Sequence, residues 1–278
     1  GSLPPVAEIP LPQVLCRGGR LVRNIFIRAF QPYRIARPGK TNYSLFTFHF
    51  SLTIRGDFMK NAKITAWDYL WYALYAFAGL GLELLLLGVV EPFLFGNISS
   101  DEYSTSQRII HWMLTIVCWG SIAALLVYFA GKKLDFHILR NVSVTKKGVL
   151  TALALVIVCI AVNAIDWGTL KIIGEFQQKG PVLFLFQYLY YAFEIGLVFL
   201  ITAFGQGFAE KLLKRKSMIP FGGIVLCCTW GAIHMLSQGS VATCLGVMVF
   251  ALLYGLIYIF LNRSAKYSYT AMLLAYIL

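Results

Sequence analysis

Long uninterrupted apolar runs recur along this chain, and they limit its fold more than anything else in it. They cover residues 69–95, 109–130, 149–167, 181–209, 219–237 and 241–262. About 20 apolar residues in helical conformation cross the ~30 Å of bilayer hydrocarbon. Inside lipid, a segment that cannot join a closed barrel satisfies its backbone only as a helix. A further run begins at Tyr267 and reaches Leu278 without a polar flank, which predicts a last helix that is truncated here. The expected fold class is all-α, a polytopic transmembrane bundle of about 6–7 helices.

Charge supports this reading and removes others. Only 13% of residues are charged and 59% are hydrophobic, whereas a soluble domain carries about 25% charged residues. An ordinary water-soluble enzyme is thereby excluded. The net charge of +12 does not point to nucleic acid, because the bases lie in short clusters between apolar runs and no glycine-rich phosphate cradle is present. Such clusters set membrane orientation. Lys60 and Lys63, then Lys132, Lys133, Arg140, Lys146 and Lys147, then Lys211, Lys214, Arg215 and Lys216, then Arg263 and Lys266 fall on alternate sides of successive runs. The intervening loops hold Arg108, Lys171 and Lys179. The alternation predicts a cytoplasmic N-terminus in an integral membrane protein of the bacterial cytoplasmic membrane, with the lipid bilayer as its first partner. Cysteines lie mostly inside apolar runs and none forms C-x-x-C. Neither a disulfide framework, nor a metal site, nor a cofactor is expected.

Residues 1–58 form a basic, proline-containing extension without a spanning run. Met59-Lys60-Asn61 is a plausible bacterial start, and Arg55-Gly56-Asp57-Phe58 admits codons of a purine-rich ribosome-binding site. The expectation is a transmembrane domain over 59–278, preceded by a segment that is not translated in the native protein.

Ionisable groups at membrane depth are costly and therefore functional candidates. Glu83 lies within the first run and is expected to hydrogen-bond another helix. Asp166 beside Trp167 reads as an interfacial anchor, and His111 as a solvated residue at the outer surface. Glu194 and His234 are the pair of interest. Measured from helix ends near Lys211 and Ile219, they lie roughly 25 and 22 Å deep at about 1.5 Å per residue. Two consecutive antiparallel helices would bring them to one level. A carboxylate and an imidazole so placed can activate water or lock two helices together.

The stretch Cys228-Thr229-Trp230-Gly231-Ala232-Ile233-His234, followed by Tyr254-Gly255-Leu256-Ile257-Tyr258 and Leu261-Asn262-Arg263, resembles the CPBP family of CAAX-protease and bacteriocin-processing or self-immunity membrane proteins. The resemblance runs from about residue 182 to 278. It aligns His234 with the histidine of the family's F-x-x-x-H motif, Trp230 standing for the Phe. Gln206 falls where the family has an arginine, Ile201 and Thr202 where it has two glutamates, and Ala275 where it has a second histidine. Glu194 lies two helical turns before Ile201, on nearly the same face. The resemblance implies a diverged, catalytically impaired member that binds a membrane peptide or a prenylated protein. Two alternatives stand beside it: an active intramembrane endopeptidase with Glu194 and His234 as catalytic residues, and a carrier of ions or small solutes with Glu83, Glu194 and His234 along a hydrated path.

Overall fold

The computed structural model describes residues 64–238 and 241–278, so the extension expected over 1–58 lies outside the described residues. The described chain contains seven helices and no strand. They are α1 (Ala66–Phe95), α2 (Thr105–Leu134), α3 (Lys146–Trp167), α4 (Lys171–Leu213), α5 (221–238), α6 (Val241–Phe260) and α7 (Ala265–Ile277). Among them α1, α2, α3, α4 and α6 are long and apolar enough to cross a membrane. The all-α, multi-pass architecture is that of an integral membrane protein.

Local chemistry sets several helix ends. Ser104 opens α2 with a reciprocal cap: its hydroxyl accepts from Gln107 N–H at 3.4 Å, and Gln107 Oε1 accepts from Ser104 N–H at 2.9 Å. This pattern satisfies otherwise unpaired donors of the first turn. Thr145 caps α3 in one direction only, accepting from Gly148 N–H at 3.1 Å. Gly168 closes α3 in the left-handed region at φ 66°, where a glycine has no Cβ penalty.

Helix α4 is the axis of the bundle and packs against all six others. Every residue from Leu197 to Gln206 is buried, as expected of a helix that is apolar on all sides. Around it, Trp67 and Trp71 of α1, Val117 of α2, and Leu150 and Ile157 of α3 stay exposed, which is the surface that lipid would cover. Small residues allow the closest approaches, since packing rather than water exclusion holds helices together in lipid. A Cβ on Gly222 of α5 would come within 2.1 Å of the Thr202 carbonyl oxygen of α4, and one on Gly223 within 2.7 Å of the Ala251 carbonyl oxygen of α6. Gly223 thus meets the small residues Ala251 and Gly255 of α6, while Gly222 turns to α4.

Two features depart from the sequence reading. Helix α4 begins at Lys171 rather than 181, with a break at Gly180 (φ 71°, ψ 171°) and Pro181 immediately after it. Proline is well suited to the first position of the helix that resumes there, which explains the expected start. Residues 171–179 form a short helical arm that turns back onto the bundle. Lys171, expected in a loop, is buried, and its ammonium donates to the Tyr276 carbonyl oxygen at 3.0 Å. Second, α1 and α5 each contain one wide π-helical turn, Leu86–Val90 and Cys227–Gly231. Such turns accommodate an extra residue and often accompany functional sites.

Candidate functional site

The buried polar groups of the bundle form a connected network, and the π-turn in α1 explains its first part. Glu83 and Glu91 are separated by eight positions, which in a regular α-helix sets their side chains about 80° apart. The extra residue absorbed at Leu86–Val90 returns both to one face. His111 of α2 meets that face with both ring nitrogens, Nδ1 at 2.7 Å from Glu91 Oε1 and Nε2 at 3.2 Å from Glu83 Oε1. The expectation of a solvated His111 is therefore wrong. The residue is buried, because α2 begins at Thr105, four positions earlier than hydrophobicity suggests, and carries the imidazole into the bundle. Carboxylates only accept and a neutral imidazole donates from one nitrogen alone, so the three groups share two protons along these two contacts.

Tyrosines extend the network at both ends. Tyr103, between α1 and α2, donates to Glu91 Oε2 at 2.8 Å, and its burial, with Glu91 beside it, pushes the phenol above its ordinary range. Tyr190 of α4 donates to Glu83 Oε1 at 2.8 Å, so Glu83 does bond another helix as expected. One turn further along α4, on the same face, stands Glu194. Its Oε1 accepts from the Trp230 indole N–H at 3.3 Å and its Oε2 from the Tyr276 hydroxyl at 3.1 Å. His234 lies on the other side of Trp230, with Nδ1 at 2.6 Å from the Trp230 carbonyl oxygen and its ring edge-on to the indole at 5.0 Å between centroids. Glu194 and His234 thus both attach to Trp230. Among the described residues they share no hydrogen bond with each other.

The arm before Gly180 closes the far side. The Lys171 ammonium lies 4.0 Å from the Tyr276 ring centroid and 4.7 Å from that of Tyr191, a cation–π arrangement favoured by the electron-rich ring faces. Glu175 accepts from the Tyr191 hydroxyl at 2.8 Å, and Gln187 donates to both Tyr191 and Glu175. Glu83, Tyr190, Glu194, His234 and Tyr276 each keep part of their surface open, whereas Glu91 and Glu175 are fully enclosed. Asp166 is exposed in the last turn of α3, away from these contacts. Among the described residues no group of His, Cys, Asp and Glu is arranged to hold a metal ion.

Chemically, the arrangement offers two half-open carboxylates in an aromatic setting. Sequence reasoning selected Glu83, Glu194 and His234 but missed Glu91, Lys171, Glu175 and Tyr276. A legible signal for Lys171 and Glu175 was their i, i+4 spacing, which places them on one helical face. Compared with protein-family models, with curated proteins and with solved structures, the chain matches none.

Proposed function

We propose that this chain is a diverged, catalytically impaired relative of the CPBP family that holds a membrane peptide, or a segment of a membrane protein, at the level of Glu194 and His234. The observation that carries this reading is how the pair is engaged. Both oxygens of Glu194 accept from Trp230 and Tyr276, and the Nδ1 of His234 is taken by the Trp230 carbonyl. A general base must reach the proton it abstracts, and here the carboxylate and imidazole are turned to the tryptophan between them.

The positions that the resemblance aligns with catalytic residues support the same reading. Ile201 and Thr202 are fully buried, and the Thr202 hydroxyl donates to the Val198 carbonyl oxygen at 3.0 Å. Gln206 caps the entry to α5 by accepting from Gly222 N–H at 3.0 Å. Ala275 is buried, and its carbonyl accepts from the Asn163 amide at 3.1 Å. Each is committed to packing. A segment lying along the half-open faces of Glu83 and Glu194 would meet acceptors for a basic or hydroxyl side chain.

The test uses the full chain in nanodiscs and a panel of fluorescent membrane-spanning and farnesylated CAAX-type peptides, read by retention and anisotropy. The expected result is retention of at least one peptide by the parent and by Glu194→Gln, with loss in Glu194→Trp, which fills the open face. Retention unaffected by Glu194→Trp would contradict the assignment of the site. A carrier is the second reading, favoured by the unbroken line Tyr103–Glu91–His111–Glu83–Tyr190. It predicts pH-dependent uptake by proteoliposomes that Glu83→Gln abolishes.

A further inference from the structure

On the side of α4 away from Glu83, α2 and α7 stand apart and leave a slot of about 580 Å³, within the roughly 300–1,000 Å³ range of small-ligand sites. Its floor is Gly196, Phe199 and Leu200 of α4, and its walls are Ala123 and Val127 of α2 and Tyr269 of α7. Gly196 matters here, because a Cβ built on it meets nothing within 4 Å. The open space therefore reaches the backbone of the central helix. Ala123 lies roughly 16 Å along α2 from Leu134, at about 1.5 Å per residue, so the slot runs well into the apolar part of the bundle.

The mouth is different. Arg140, from the α2–α3 loop, and Lys266, from the first turn of α7, line it together with Asn141. Both basic residues are exposed, and among the described residues neither forms a salt bridge. Lys266 lies 5.9 Å from the Tyr267 ring centroid, and two cations without a carboxylate partner over an apolar slot at one end of a membrane bundle complement an amphiphile with an anionic head and a hydrocarbon tail.

We propose that this slot binds one anionic phospholipid, with an acyl chain along Gly196 and Phe199 and the phosphate between Arg140 and Lys266. Apolar lining supplies the place for the chain, and each base near the headgroup plane adds attraction for the phosphate. A neutral phospholipid has the same tail but no net charge for the mouth to select. The site lies apart from Glu194 and His234 and does not depend on what they bind.

The experiment is native mass spectrometry of the full chain after reconstitution with phosphatidylcholine containing a minor share of phosphatidylglycerol. The parent is expected to retain one phosphatidylglycerol through detergent exchange. Arg140→Gln with Lys266→Gln should lower that occupancy roughly 10- to 30-fold, and the charge-conserving exchange Arg140→Lys with Lys266→Arg should retain it. Gly196→Leu should lose the lipid with all charges intact. Ala124→Phe fills the slot from the exposed α2 wall and serves if Gly196→Leu does not fold. Lys211→Gln with Lys214→Gln, on a separate basic patch at the end of α4, should leave occupancy unchanged. Equal loss from that second pair would mean diffuse surface attraction and overturn the proposal. So would equal retention of phosphatidylcholine, or full occupancy in a folded slot-filling variant.

Discussion

Among the described residues, Glu210 concentrates more hydrogen bonds than any other single carboxylate outside the candidate site. Its Oε1 accepts from Arg263 Nη2 at 2.5 Å, from Gln206 Nε2 at 2.9 Å and from Ser217 N–H at 3.1 Å, tying the ends of α4 and α6 to the loop between α4 and α5. The ion pair is mostly buried, each side chain being 16% exposed. Removing one partner leaves the other charge uncompensated, so Arg263→Leu is expected to cost about 3 kcal/mol. Thermal unfolding in detergent should register a clear drop, and an unchanged midpoint would mean the pair is solvent-screened. His111→Leu is a second residue-scale prediction. It leaves Glu83 and Glu91 facing each other without the shared donor, at a similar ~3 kcal/mol, whereas Tyr190→Phe removes one hydrogen bond and costs about 1 kcal/mol. Should the two lose equal stability, His111 is not bridging the carboxylates. This cluster was only half legible in the sequence. Glu83 stood out in an apolar run, but its spacing from Glu91 does not match a regular helical face, and nothing local announces the π-turn that corrects it.

At the scale of elements, that turn makes its own prediction. Gly88 lies within it, is exposed, and a Cβ there would touch nothing. Deleting Gly88 should restore a regular α-helix in which the two glutamates, now seven positions apart, still share a face. The deletion should therefore be tolerated, with unfolding close to that of the parent. A deletion at Ala73, in the buried face of the first half of α1, should prevent folding because it rotates every later contact. If the Gly88 deletion fails equally, the wide turn has a role beyond register. Helix α5 tests packing instead: Gly222→Ala forces a Cβ against the Thr202 carbonyl oxygen, 2.1 Å away, where only backbone movement relieves it. Overpacking of this kind costs about 1–3 kcal/mol, visible as lost thermal stability. The apolar runs revealed α1, α2, α3 and α6 nearly to their ends, but the arm 171–179 was hidden. Its polar composition reads as a loop, and only its contacts with Tyr191 and Tyr276 account for its helical fold against the bundle.

For the whole molecule, the membrane bundle was readable from sequence and the place of each helix within it was not. Helix α4 has the lowest hydropathy of the five spanning candidates, 1.7, yet the largest buried share, 44% against 22% for α1. Lipid and protein interior are equally apolar, so hydropathy does not distinguish a helix facing lipid from one facing neighbours. Orientation is a whole-molecule prediction that rests on the clusters of bases. In a background with cysteines replaced by alanine, a membrane-impermeant maleimide should label Asn97→Cys in intact cells and spare Lys146→Cys until the membrane is opened. The reverse pattern would invert the topology.

The central claim is that Glu194 and His234 form a holding site rather than a cutting one. It is tested most directly by incubating the reconstituted chain with the membrane-spanning and CAAX-type peptides that it retains, and reading intact mass against a protease active in parallel. The account predicts intact peptide from the parent, from Glu194→Gln and from His234→Ala alike. Cleavage by the parent that disappears in both variants would contradict it and establish the pair as catalytic.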